Sequence, residues 1–189
     1  MTNRLIVKEL SDCEPADWTD AWVTDDERAA AAGFAPHRRR EYLTWRAVVR
    51  RELGRDTAIT YAANGAPQVG GGAFISVSHS KNIVAVCIGD TPCAVDTEPL
   101  DRNFDRVRRR YMTAAEEALS DDVRLAAAVW CAKEALYKLH GREGCDFLRD
   151  IRIESVDFGS GSIAGSIHDS GTIELSIEYF GDNIVVRSN

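Results

Sequence analysis

The chain has 189 residues, room for one large domain or two small lobes. Hydrophobic residues make up 44% and charged residues 28%, so the chain builds its own core and is not disordered. A net charge of −7 argues against a general nucleic-acid binder. The longest apolar run, residues 125–132, is far shorter than the ~20 residues that cross a bilayer. The opening MTNRLIVKEL lacks the apolar centre of a signal peptide, so no membrane association and a cytoplasmic location are expected. The five cysteines (Cys13, Cys87, Cys93, Cys131 and Cys145) form no CxxC pair. They read as reduced thiols, with neither a zinc motif nor a disulfide framework.

The positive charge is unevenly spread. Four lysines stand beside nineteen arginines, and residues 37–55 alone carry seven arginines against two glutamates. Residues 102–110 carry five arginines and one aspartate. Two readings fit such segments: local anion contacts, since guanidinium forks match phosphate oxygens, or solvated helix faces.

In chain order, residues 4–10 alternate as a strand does. Residues 25–33 predict a short helix capped by Thr24 or Asp25, and residues 36–53 a longer one with Pro36 in its first turn and Gly54 just beyond. A turn-rich patch spans 64–72. Residues 73–79 and 83–88 predict a hairpin, and residues 93–98 a strand stopped by Pro99. Residues 102–111 are expected to be helical, and Thr113 to Glu116 form a capping box. Residues 121–140 give the strongest helix, closed by Gly141, followed by strands at 151–158, 162–167, 172–179 and 183–187. The order strand, long helix, hairpin occurs twice. That predicts an α+β fold of two related lobes, 1–92 and 93–189, meeting face to face.

Asp96 and Glu98 stand two apart on a strand and therefore share a face. Trp130, Glu134 and Lys138 recur every four residues and share one helix stripe. Two strand carboxylates and one from a helix suit Mg²⁺, which takes a few carboxylates and fills its octahedron with water and phosphate oxygens. A nearby lysine would neutralise charge on a transferred phosphoryl group. Read separately, DxE is a common strand motif and Glu134–Lys138 an ordinary helix pair. The alternative of a metal-dependent nuclease needs its ExK on a strand, whereas here Glu and Lys lie four apart on a helix.

Four blocks in order carry a resemblance. They are Gly65-Ala66-Pro67, then Phe74 to Ser80 (FISVSHS), then Ala94-Val95-Asp96-Thr97-Glu98, and last Trp130 to Lys138 (WCAKEALYK). Together with the arginine-rich Arg40 to Arg46, they resemble the 4′-phosphopantetheinyl transferases, over residues from about 28 to 141. Ala66 stands where a lysine is usual, Ala94 replaces a glycine, Trp45 sits where glycine is frequent, and Thr97 replaces an aliphatic residue.

The resemblance implies the two-lobed, Sfp-type branch: two pseudo-symmetric α+β lobes in one chain, a monomer with its site in the cleft. It implies transfer of the phosphopantetheine arm of coenzyme A to a serine of an acyl or peptidyl carrier protein, releasing adenosine 3′,5′-bisphosphate. Mg²⁺ would be held by Asp96, Glu98 and Glu134. Glu134 or a water would take the serine proton, and Lys138 would steady the pyrophosphate. Coenzyme A would meet Gly65, Pro67, Ser78, His79 and Lys138, with Arg28, Arg40 and Arg46 as candidates for its 3′-phosphate. Glu116 matches a family carboxylate near the metal and is equally a plain helix cap; His79 is equally a turn histidine. Trp130 is read as a structural wall. The alternative to the enzyme is a degenerate, non-catalytic homologue that binds coenzyme A or a carrier protein.

Overall fold

The computed structural model describes residues 3–10, 17–141, 144–168 and 170–189. Strand β1 (Arg4–Glu9) leads through short helices α1 (Asp17–Asp20) and α2 (Asp25–Ala31) to the long helix α3 (Pro36–Leu53). A small hairpin, β2 (Ile59–Tyr61) and β3 (Pro67–Val69), precedes β4 (Phe74–His79), β5 (Ile83–Gly89) and β6 (Val95–Pro99). Helix α4 (Ala114–Glu117) and the second long helix, α5 (Leu125–His140), follow. Strands β7 (Ile151–Asp157), β8 (Ser162–Ile167), β9 (Ile173–Phe180) and β10 (Asn183–Ser188) complete the mixed α+β fold that the sequence predicts.

The strands form sheets ordered β1-β5-β4 and β6-β10-β9-β8-β7, plus the pair β2-β3. In both larger sheets the first strand pairs antiparallel with the last, after a long helix has intervened. Every residue of β5 is buried, which marks a strand covered on both faces. Val84, Val86 and Ile88 pack against Trp45, Val48 and Val49 of α3, while Ile83, Ala85 and Cys87 face Val95 and Val185 of the five-stranded sheet. The other face of that sheet carries Ile184 and Val186 and lies under α5, whose Leu125, Val129, Ala132 and Leu136 complete the largest core.

Local chemistry sets the boundaries. Thr24 caps α2 in a capping box with Glu27, and Thr113 caps α4 in the same way with Glu116. Pro36 begins α3, and Gly141, at φ 58°, ends α5. The helix expected over 102–111 is instead a series of turns ending in a 3₁₀ turn at Arg108–Arg110. Five arginines leave no apolar stripe there, and Phe104 and Tyr111 are pulled separately into the core. Helix α5 starts at Leu125, later than expected, because the Asp122 carboxylate accepts the Arg124 N–H at 2.8 Å and holds a turn. The hairpin β2–β3 lay hidden in the turn-rich patch. Cys87, Cys93, Cys131 and Cys145 form no disulfide among the described residues; Cys13 lies outside them.

Helix α5 is fastened from below in two ways. Gly165 of β8 lets Leu136 approach the sheet: a Cβ there would lie 2.6 Å from the Arg152 carbonyl oxygen and 3.1 Å from a Leu136 methyl. Lys133, fully buried, pairs with Glu116, 1% exposed, at 2.7 Å. Glu116 also accepts the Ile153 N–H at 2.9 Å, so this carboxylate joins α4, α5 and β7 as a buried brace. Removing one member of such a pair strands the other's charge and costs about 3–5 kcal/mol. Lys133→Met is therefore expected to lower unfolding stability by that amount in urea titrations. A loss below about 1 kcal/mol would mean that the brace is not carrying α5.

Candidate active site

The site begins at a seam. Strand β4 is the edge of one sheet, β6 is the edge of the other, and alternate serines of β4 join them. Ser76 Oγ accepts the Val95 N–H at 3.1 Å, and Ser78 Oγ accepts the Thr97 N–H at 3.3 Å. Ser80, just past β4, donates to Asn183 Oδ1 at 2.7 Å. All three are buried. With Val95 and Thr97 turned to the first sheet, strand alternation puts Asp96 and Glu98 on the α5 side.

Helix α5 lays its stripe along that face. Trp130 Nε1 donates to Glu98 Oε1 at 3.0 Å, and Lys138 Nζ donates to Asp96 Oδ1 at 2.7 Å and to the Val95 carbonyl at 2.9 Å. Glu134, midway between them on the helix, takes no hydrogen bond or ion pair among the described residues. Ser78 Oγ donates to Asp96 Oδ1 at 2.8 Å, while Asp96 Oδ2 is buried without a hydrogen-bond partner among the described residues. Arg102 pairs with Glu98 and stacks over Trp130, its guanidinium carbon 5.0 Å from the ring centroid.

The electrostatics follow from this crowding. Burial raises the Glu134 pKa from its ordinary 4.5, Asp96 and Glu98 add to the rise, and Lys138 opposes it. Burial likewise raises Glu98, where Arg102 pulls against it and Asp96 reinforces it. Oxygen donors of this kind, one of them buried and orphaned, fit a hard divalent cation. Asp96 and Glu98 are turned toward their own protein partners, and the three carboxylates do not all bring donor atoms within 4.8 Å of one another. Among the described residues, the one trio of His, Cys, Asp or Glu with donor atoms all within 4.8 Å is elsewhere, at Cys145, Asp150 and His168.

Residues 92–184 match the family model of the 4′-phosphopantetheinyl transferase superfamily. The chain belongs to that superfamily. Membership makes it a transferase of the phosphopantetheinyl type, and coenzyme A and carrier proteins are the family's general partners. The matched span contains Asp96, Glu98, Glu134 and Lys138; His79, Gly65 and Pro67 precede it. No curated protein matches the chain significantly. Among the described residues no helix is long and apolar enough to cross a membrane.

The remaining sequence candidates divide. His79, at the end of β4, holds Nδ1 3.1 Å from a Glu41 carboxylate oxygen and accepts from Arg38 at Nε2, 3.0 Å away. Burial lowers its pKa; Glu41 opposes this, while Arg38, Lys138 and His37 reinforce it. Pro67 and Lys138 line one cavity of about 670 Å³, with Ala66, Phe74 and Cys93. Gly65 turns the adjoining hairpin at φ 80°. Arg40 is half-buried in the first turns of α3.

Arg46 is only 3% exposed, paired with Glu27 at 3.3 Å and covered by the Tyr42 ring at 3.3 Å. Arg28 pairs with Asp25 and the Asp20 carbonyl. No contact of either arginine reaches His79 or the carboxylates, because the acids of α2 claim both. The Ser78 hydroxyl is committed to the seam, so it orients Asp96 rather than facing the cavity. Glu116 braces α5 through Lys133, the cap reading. Sequence reasoning missed Arg38, Arg102 and the donor role of Trp130. The alternating Ser-x-Ser-x-Ser was a signal for the seam.

A carboxyl whose pKa is raised by folding binds its proton more tightly folded than unfolded. Stability therefore falls as pH rises from about 4.5 through the raised value. In chelator, Glu134→Gln is expected to melt above the parent at about pH 7, with the gap closing toward about pH 4. Thermal unfolding across that range checks this, and a lower melting point at neutral pH would contradict it.

Proposed function

We propose that the chain moves the 4′-phosphopantetheine arm of coenzyme A onto a serine of an acyl or peptidyl carrier protein, with Mg²⁺ and as a two-lobed monomer of the Sfp type. The observation that carries this reading is the Trp130–Glu134–Lys138 stripe laid over Asp96 and Glu98. Asp96, Glu98 and Glu134 would hold the cation, which when bound neutralises the pyrophosphate oxygens.

Coenzyme A lies along the cavity between Pro67 and Lys138. Arg38 and His79, with Arg40 nearby, meet its 3′-phosphate. Glu134, which takes no hydrogen bond or ion pair among the described residues, or a water beside it would take the proton of the carrier serine. The serine oxygen forms a bond to the β-phosphorus as the bond to the bridging oxygen breaks. Adenosine 3′,5′-bisphosphate leaves with that electron pair. Lys138 uses two N–H groups within the protein and turns the third to the charge on the leaving group. Glu98, held by Trp130 and Arg102, keeps its place in the cluster.

Intact-mass spectrometry of apo-carriers incubated with coenzyme A should show one added phosphopantetheine with Mg²⁺ and none with chelator. Glu134→Gln should cost about 10²–10⁴-fold in rate. If every carrier stays apo while a known transferase modifies them all, the enzymatic reading fails; coenzyme A bound without turnover would point to the non-catalytic homologue.

His79→Ala and Arg38→Ala should each raise the KM for coenzyme A roughly 10–150-fold, the worth of one charged hydrogen bond. Dephospho-coenzyme A lacks the 3′-phosphate, and its KM should barely move. Equal losses on both substrates would place these residues elsewhere in the mechanism.

A further inference from the structure

After Gly141 ends α5, residues 144–150 run as a strap beside the helix. Lys133 Nζ donates to the Phe147 carbonyl at 2.7 Å, and the Phe147 ring lies 5.8 Å from Trp130 and 5.9 Å from Tyr137 between centroids. Cys145 and Asp150 stand near the two ends of this strap, and His168 stands just past β8. The thiol, carboxylate and imidazole each have a donor atom within 4.8 Å of the other two. We propose that Cys145, Asp150 and His168 form a zinc site that clips the strap to the exit of β8.

Three observations support the site. First, its members are already tethered: the His168 N–H donates to the Asp150 carbonyl at 2.7 Å, and the Asp146 N–H holds Asp150 Oδ2 at 2.8 Å. Hydrogen-bonded carboxylates of this kind are the usual support of a metal ligand. Asp150 Oδ1 faces His168 Nδ1 at 3.9 Å, too far for a hydrogen bond and wider than the ~3.3 Å between two ligands of a tetrahedral ion, so a small side-chain rotation brings both onto it.

Second, His168 is the one non-glycine residue with a positive φ, 50°, among the described residues. A side chain other than glycine in that region is strained, and such strain concentrates at ligand sites. Third, the donors are sulfur, nitrogen and oxygen. A thiolate excludes Mg²⁺ and Ca²⁺, and three protein ligands with an open fourth position is a zinc pattern. Cys145 and Asp150 are half-buried and His168 is exposed, so the ion can enter from solvent. The ligands are spread over 24 residues with no CxxC, which is why the sequence alone argues against zinc. This site is separate from the Asp96–Glu98–Glu134 cluster and does not depend on its chemistry.

The test uses the full chain, stripped with chelator and dialysed, with Co²⁺ as the spectroscopic probe. One equivalent should produce a near-ultraviolet thiolate-to-cobalt charge-transfer band, and one equivalent of Zn²⁺ should bleach it. Cys145→Ser should abolish the band, and Asp96→Asn should keep it. His168→Gly should weaken binding at least about tenfold. Because glycine accepts this φ, the same variant should melt no lower than the parent in chelator, while losing the rise in melting temperature that Zn²⁺ gives the parent. Absence of a band, a band that survives Cys145→Ser, or a Zn²⁺ rise retained by His168→Gly would each overturn the proposal. Should Cys145→Ser fail to fold, the His168→Gly affinity decides.

Discussion

The contact between the edges of the two larger sheets governs the rest of the molecule. An edge strand exposes unpaired N–H groups, and a buried edge must satisfy them. Strands β4 and β6 do so with side chains in place of a backbone ladder: Ser76 and Ser78 take the amides of Val95 and Thr97. A hydroxyl both accepts and donates, so Ser78 can take an amide and still give its own proton to Asp96. One residue thereby closes the seam and orients the first carboxylate of the site. An alanine there would strip the Thr97 amide of its acceptor and leave Asp96 Oδ1 to Lys138.

Across that seam the chain concentrates negative charge that folding alone does not reward. Burial raises the proton affinity of Glu98 and of Glu134, the Asp96 charge adds to both, and Lys138 and Arg102 offset this only in part. Such a cluster persists because the scaffold over-determines it. Helix α5 is held from beneath by the Lys133–Glu116 brace and by the close approach that Gly165 permits. It is held from the side by Phe147 against Trp130 and Tyr137. The charge crowded on one face of α5 is met by packing and a buried ion pair on the other.

The arginine-rich helix shows how little composition says about destination. Arg46 and Arg50 turn inward to Glu27 of α2, and Arg50 makes a two-pronged pair with it at 2.6 and 2.9 Å. Arg38, at the first turn, instead stands over His79. One segment therefore supplies both an internal brace and a contact at the site's edge. The difference is set by which side of α3 faces α2 and which end reaches β4.

The sequence by itself determined whatever depends on neighbours a few residues apart. The β4–β5 hairpin, the capping box at Thr113, a cap at Thr24 or Asp25, the span of α3, and the shared faces of Asp96 with Glu98 and of Glu134 with Lys138 all follow from composition, from periods of 2 and 3.6 and from local hydrogen bonds. The ordered blocks around those residues carried the resemblance to the superfamily. Tertiary structure alone decided which partner each charged group takes. Glu116 could cap a helix or approach a cation until Lys133 and Ile153 were folded against it. Arg102 was one of five arginines until Glu98 and Trp130 met it, and Cys145 shows no motif until β8 delivers His168. Each of these choices depends on groups 4 to 37 residues apart being brought together by the fold, and where they are buried desolvation, not spacing, selects the pairs.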